Sequence, residues 1–80
     1  MNVLQGSVVR SLAGHDKDNY FVAVKIDGSN VYIVDGKERK LESPKKKNIK
    51  HLLMTQKSIE LSEITNKKLR KLLNEFKNSE

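Results

Sequence analysis

Alternating apolar and polar positions in the first half of the chain predict short β-strands. Residues 20–26 alternate most clearly, which places one set of apolar side chains on a single face: Tyr20, Val22, Val24 and Ile26. Apolar runs at residues 6–12 and 31–34 predict two further strands. The first run has two adjacent valines, so its pattern does not decide which face of that strand points into the core. The sequence DGSN at residues 27–30 favours a tight turn, so the second and third strands are predicted to form a hairpin.

Two more strands are expected after this hairpin. Asp35 and Gly36 form a dipeptide that favours a type I′ turn, so residues 37–41 are predicted to return as a polar edge strand. Pro44 cannot donate to a ladder hydrogen bond and is expected to end that strand. Residues 49–55 are predicted to form a fifth strand. Five short strands joined by tight turns predict a small barrel, because closure removes exposed edges.

The end of the chain has the period of an amphipathic helix. Its apolar residues recur at i, i+3, i+4 and i+7: Leu69, Leu72, Leu73 and Phe76. Thr65 is a suitable N-cap, and Ile64 can pack on Leu69 as a hydrophobic staple. The predicted fold is therefore mainly β, with a five-stranded barrel at residues 1–57. Residues 58–80 form a connector and a C-terminal α-helix at about residues 66–78, packed on the barrel.

Composition limits the size of the core and the available chemistry. The chain has 80 residues, of which 36% are hydrophobic, and this allows one small domain without a large buried active-site cavity. Cysteine is absent, which excludes disulfides, thiolate catalysis and cysteine-ligated zinc. The longest apolar run, at residues 20–24, is too short to span a membrane. The first residues lack the pattern of a secretory signal, so we expect a cytoplasmic protein.

Catalytic and metal-binding motifs are not recognisable in the sequence. The two histidines, His15 and His51, are far apart, and neither a paired carboxylate motif nor a glycine-rich phosphate loop occurs. His15, Asp16 and His51 do not have the spacing of a known metal site. We therefore expect a protein that is not an enzyme and that holds no metal or cofactor.

The positive charge of the chain is concentrated in one segment. The net charge is +6, and residues 37–57, with eight basic and two acidic side chains, carry the whole excess. A polyanionic partner is expected, although a solubilising charge run is the alternative. The lysines at residues 45–47 can all face one partner only outside a strand, since alternate strand side chains point opposite ways. We therefore expect a loop wrapped against phosphates.

Aromatic side chains are too scarce for extensive base stacking. The chain has four: Tyr20, Phe21, Tyr32 and Phe76. The core needs most of them, so about one is left as a stacking platform. Recognition is therefore expected to depend on phosphate contacts and shape, which suits a folded RNA better than an unstructured strand.

Residues 6–26 (GSVVRSLAGHDKDNYFVAVKI) resemble a KOW motif, with a small-residue turn at Gly14 between two hydrophobic strands. Residues 34–52 (VDGKERKLESPKKKNIKHL) are similar to small KOW-domain RNA-binding proteins related to large-subunit ribosomal proteins of archaea and eukaryotes. One departure is Asn19, which stands where relatives often have glycine; asparagine tolerates the left-handed conformation better than most residues.

The resemblance implies an SH3-like barrel that binds structured ribosomal RNA of the large subunit without catalysis. Carried over by position, the motif loop consists of Ser11, Ala13, Gly14 and Asp16. These four residues, together with His15 and Lys17 of the same loop, are expected to contact RNA. The basic strip consists of Arg39, Lys40, Lys45, Lys46, Lys47, Lys50 and His51. We expect a monomer associated with the ribosome, with ribosomal proteins as a further class of partner.

Two other functions are open at this point. KOW barrels also serve in transcription and translation factors, where they dock a protein partner; here the C-terminal helix is a docking element if its apolar stripe is not buried. Binding to an anionic membrane is the weaker alternative. The helix has basic residues on its polar side, but its stripe has four large residues and lacks tryptophan, so no membrane partner is expected.

Overall fold

The computed structural model describes residues 5–79, which form an antiparallel sheet of five strands followed by an α-helix. In chain order the strands are β1 (Ser7–Ser11), β2 (Tyr20–Asp27), β3 (Asn30–Val34), β4 (Lys45–Asn48) and β5 (Leu52–Ser58). A 3-10 turn, Ile49–His51, joins β4 to β5, and helix α1 spans Asn66–Asn78. This confirms the mainly β fold with a C-terminal helix. The predicted barrel segment includes residues 1–4, and the predicted C-terminal segment includes residue 80. These five residues lie outside the described part of the chain.

The order of strands requires the sheet to curl. The order is β4-β3-β2-β1-β5, so the two outermost strands are joined by a three-residue turn. Four strand spacings of about 4.8 Å would separate these strands by roughly 19 Å in a flat sheet, which is too far for such a connection. The Leu12 amide donates to the His51 carbonyl at 2.8 Å and fixes one end of the turn. Within residues 5–79 the strand pairing stays open, so a closed barrel is still a prediction.

One strand prediction in the middle of the chain is wrong, and another is shifted by three residues along the sequence. Residues 37–41 form an irregular loop rather than an edge strand. The fourth strand is instead Lys45–Asn48, the lysine run that was expected to be a loop. The fifth strand begins at Leu52, because residues 49–51 form the 3-10 turn.

The turn after β3 explains why the predicted hairpin does not form. The Asp35 carboxylate accepts hydrogen bonds from the amides of Lys37 and Arg39 at 2.9 and 2.8 Å, which folds the backbone into a compact turn. Gly36 has a φ of +77°, and a Cβ there would clash with the Asn66 carbonyl. The turn therefore packs directly against the first turn of α1 and does not begin a strand.

Both faces of the sheet are buried, each in its own hydrophobic cluster. The first cluster consists of Val9, Phe21, Ala23, Val31, Ile33 and Leu52, with Ile26, Ile49 and Met54 at its edge. The second consists of Val8, Val22, Val34, Leu69 and Leu73, and packs the sheet against α1. The open question of which way β1 faces is thereby answered, because its two adjacent valines are buried on opposite faces.

A β-bulge in β2 reverses the predicted orientation of Ile26. Ala23 pairs with Ile33, but the next pair is Lys25 with Tyr32, so β2 uses two residues where β3 uses one. Ile26 consequently packs in the first cluster instead of sharing a face with the helix-facing residues of β2. The same shift places Lys25 opposite Tyr32.

Helix α1 forms at the predicted position and is part of the core. Thr65 is its N-cap, and the Thr65 hydroxyl accepts a hydrogen bond from the Lys68 amide at 3.2 Å. Leu69 is fully buried against the sheet. The Phe76 ring packs edge-on against the Tyr20 ring, with 5.2 Å between the ring centroids. This helix is neither long nor apolar enough to cross a membrane.

Truncation of two helix leucines tests whether α1 is required for folding. Leu69→Ala is expected to lower the free energy of unfolding by about 2–5 kcal/mol, because it opens a cavity between helix and sheet. Leu72, which is 36% exposed, provides the matched control, and Leu72→Ala is expected to cost less than about 1 kcal/mol. Urea unfolding followed by circular dichroism measures both; equal losses would contradict a core role for the buried face.

Candidate nucleic-acid interface

Asp16 is the centre of an ionic cluster between the β1–β2 loop and β4. Its side chain is only 11% exposed; Oδ1 accepts a hydrogen bond from Lys47 Nζ at 2.6 Å, and Oδ2 accepts one from Lys45 Nζ at 2.9 Å. The Ser11 hydroxyl donates to the same Oδ1 at 2.9 Å. This Asp16 cluster therefore ties the loop of residues 12–19 to an outermost strand of the sheet.

Lys47 directs all of its hydrogen-bonding capacity into the protein. Its ammonium group donates to Ser11 Oγ at 2.8 Å, to the Ala13 carbonyl at 2.7 Å and to Asp16 Oδ1 at 2.6 Å. An ammonium group has three N–H donors, and the Lys47 side chain is 9% exposed. In this structure Lys47 thus holds the motif loop in place and presents no free charge to a phosphate.

The expectation that the three lysines of residues 45–47 face one partner together is wrong. They form a strand, so Lys45 and Lys47 point to one face and Lys46 to the other. Lys46 is exposed, whereas the other two bind Asp16. The run contributes one outward cation rather than three.

The electrostatics of Asp16 follow from these contacts. Burial raises the pKa of the carboxyl group, but hydrogen bonds from Lys47, Lys45 and Ser11 outweigh burial and hold the pKa well below its usual range. A carboxyl whose pKa is lowered on folding stabilises the protein above its unfolded pKa of about 3.9. That contribution is lost only as the pH falls through the lowered, folded-state pKa.

The β1–β2 loop needs two residues with positive φ. Gly14 has a φ of +87°, and Lys47 Nζ lies 3.5 Å from where its Cβ would be. The other is Asp18, with a φ of +72°, rather than the neighbouring Asn19. Asp18 also forms a salt bridge of 2.6 Å with Arg10 on the protein surface.

Removing the charge of Asp16 should destabilise the fold. Asp16→Asn leaves two partly buried ammonium groups without a counter-charge, and we expect a loss of about 3 kcal/mol in the free energy of unfolding at pH 7. The matched control is Asp18→Asn, which breaks an exposed salt bridge, and asparagine accepts the same positive φ, so little change is expected.

Urea unfolding of both variants between pH 7 and pH 2 tests this prediction. The difference in the free energy of unfolding between Asp16→Asn and the unaltered chain should persist down to about pH 4. It should become smaller only at lower pH. A difference that already disappears between pH 7 and pH 5 would contradict the lowered pKa of Asp16.

The remaining polar residues of the predicted site lie at the surface, on neighbouring loops and on β4. The exposed ones are His15, Lys17, Arg39, Lys40, Lys46, Lys50 and His51. The β1–β2 loop contacts the 49–51 turn through the hydrogen bond between Leu12 and His51. The loop of residues 35–44 leaves β3 at the end that pairs with the start of β2, so it lies at the same end of the sheet as the β1–β2 loop.

A basic groove extends this surface onto the helix. It has a volume of about 590 Å³ and lies between α1 and the turn at residues 35–38. Its lining has four cations, Lys37, Arg70, Lys71 and Lys77, against two carboxylates, Asp35 and Glu38, so its net charge is positive. Arg70 donates to the Gly36 carbonyl at 2.7 Å, which anchors the groove wall. Sequence reasoning did not connect these cations, because the positions that form the groove lie more than thirty residues apart and only helix docking brings them together.

No cluster of three or more potential metal-ligating side chains occurs among residues 5–79. Comparison of the chain with models of known protein families gives no match, and comparison with curated proteins gives none either. A function must therefore be inferred from the sequence pattern, the fold and the charged surface described above.

Proposed function

We propose that this protein binds structured RNA through its phosphate backbone, without catalysis. The observation that carries the proposal is the set of exposed cations around the β1–β2 loop, the 49–51 turn and the 35–44 loop. Salt bridges within residues 5–79 engage Arg10, Lys45 and Lys47, whereas the exposed cations of this surface form none. Such ammonium groups gain free energy from a polyanion, because each phosphate that they neutralise releases condensed counterions.

The burial of the helix favours RNA over a membrane. A membrane-surface helix needs an apolar face to insert below the headgroups. In α1 that face is used by Leu69 and Leu73, which pack on the sheet. The sequence resemblance to KOW-domain RNA-binding proteins at residues 6–26 and 34–52 points in the same direction.

The finer assignment is a KOW-type, SH3-like barrel that associates with ribosomal RNA of the large subunit. The strand order supports the barrel, because the outermost strands β4 and β5 are joined by three residues and the Asp16 cluster connects β4 to the end of β1. The ribosomal assignment depends on the resemblance of residues 34–52 to ribosomal relatives.

A second candidate function is docking to a protein of a transcription or translation complex. The observation that favours it is a pair of exposed leucines, Leu12 and Leu53, whose side chains are 41% and 48% exposed. Leu12 directly follows β1, and Leu53 lies on β5 opposite Arg10. This surface, rather than the buried stripe of α1, would be the docking face.

Charge removal at the proposed interface tests RNA binding. The variant Lys17→Gln/Lys50→Gln should weaken binding to RNA stem–loops of unrelated sequence alike, and should reduce the slope of log K against log[salt] by up to about 1.8. The matched control is Lys57→Gln/Lys68→Gln, which removes the same charge from a different groove that also contains Glu60 and Glu63. Fluorescence anisotropy over a salt series measures both slopes, and equal slopes for the two variants would contradict the assigned surface.

The ribosomal assignment has its own test. Crosslinking in cells, followed by sequencing of the attached RNA, is expected to recover large-subunit ribosomal RNA, and the protein is expected to sediment with that subunit. Crosslinks scattered over messenger RNA without subunit association would contradict the ribosomal assignment and leave RNA binding intact.

A further inference from the structure

Tyr32 is the aromatic side chain that the core does not use. Phe21 belongs to the first hydrophobic cluster, and Tyr20 and Phe76 pack edge-to-face against each other beside the second. Tyr32 belongs to neither cluster and is half-buried on β3. Tyr20 also lines the groove beside α1, but its ring packs against Phe76; among residues 5–79, Tyr32 is therefore the aromatic residue that is part of neither cluster.

Two lysines flank this ring on the neighbouring strands. Tyr32 pairs with Lys25 on β2 and with Lys46 on β4, so the three side chains form a row across the sheet. Lys25 Nζ lies 5.4 Å from the centre of the Tyr32 ring, and both lysines are exposed. Neither ammonium group has a salt-bridge partner in the described part of the chain.

The bulge in β2 is what creates the row. Without the register shift after Ala23, Val24 would lie opposite Tyr32, and Lys25 would be turned toward the core opposite Val31. The extra residue instead brings a cation beside the ring and keeps it in solvent. Bulges commonly re-aim a side chain next to a functional site.

We propose that Lys25, Tyr32 and Lys46 form a platform for one unpaired nucleotide of the RNA. The base stacks on Tyr32, and the two ammonium groups bind the phosphates on either side of it. The flexible stem of Lys25 lets its ammonium group move from the ring to a phosphate when the base arrives. This inference rests on the proposed RNA binding and adds a bulged or looped nucleotide to the ligand.

The chemistry of the row selects this ligand over others. A cationic ligand would be repelled by the two ammonium groups, so a cation-binding aromatic site is disfavoured. A simple anion would make no use of the ring. A nucleotide offers a flat π face and flanking negative charges at once, and aromatic residues stack on bases of any sequence.

A tryptophan reporter tests the platform directly. The chain contains no tryptophan, so Tyr32→Trp introduces one at this position. The probes are an RNA stem–loop with a single bulged adenosine and the same stem–loop with an abasic ribose at the bulge. The adenosine probe should quench the tryptophan emission, and the abasic probe should not, because only the first supplies a base to stack.

Affinities of two further variants separate stacking from structural effects. Tyr32→Val, which suits a strand, should weaken binding to the adenosine probe roughly five- to tenfold and leave the abasic probe unchanged. Tyr32→Phe should bind the adenosine probe as the unaltered chain does. Urea unfolding of each variant establishes that the fold is retained.

The outcomes distinguish the platform from RNA binding in general. Equal quenching by the two probes, or an equal loss of affinity for both in Tyr32→Val, would overturn the platform while leaving phosphate binding in place. If the unaltered protein binds neither probe, the proposed function fails, and the platform fails with it.

Discussion

The contact between Lys47 and Asp16 is the interaction on which the arrangement of the charged surface depends. Lys47 lies on β4, and its ammonium group also binds Ser11 at the end of β1, three strands away in the sheet. A lysine side chain cannot cover roughly 14 Å of flat sheet, so the contact exists only because the sheet curls. It fixes the β1–β2 loop against β4. In the described part of the chain, every buried side-chain nitrogen and oxygen atom has a hydrogen-bond partner.

This contact divides the basic segment into two roles. Lys45 and Lys47 turn inward and neutralise Asp16, whereas Lys46 and Lys50 point to solvent. A partly buried charge pair contributes little net stability compared with well-packed apolar groups, but it is costly to break on one side. The two inward lysines therefore position the β1–β2 loop, and the neighbouring lysines that point to solvent carry the free charge.

Local patterns in the sequence predicted much of the fold, and non-local contacts account for the rest. The alternation of β2 and the helical period ending at Phe76 depend on near neighbours, so both were predictable. The strand at residues 45–48 was not, because a lysine run has weak β propensity and pairs with β3 through contacts distant in sequence. The bulge after Ala23 was also hidden, since the apolar alternation of β2 continues through it. Within the candidate site, the surface charge was visible in the sequence, but which lysines turn inward was not.

The two faces of the sheet explain why the free aromatic lies where it does. Helix α1 covers Val22 and Val34, and the same face continues past the helix to Tyr32 and Lys46. The 49–51 turn follows β4 directly and contacts the β1–β2 loop. Tyr32 and Lys46 lie on the opposite side of β4 from Lys45 and Lys47, which bind that loop. In the proposed complex the RNA therefore contacts both sides of β4, with phosphates at the loop and turn on one side and a base at Tyr32 on the other. A small core with few aromatics can still provide both kinds of contact.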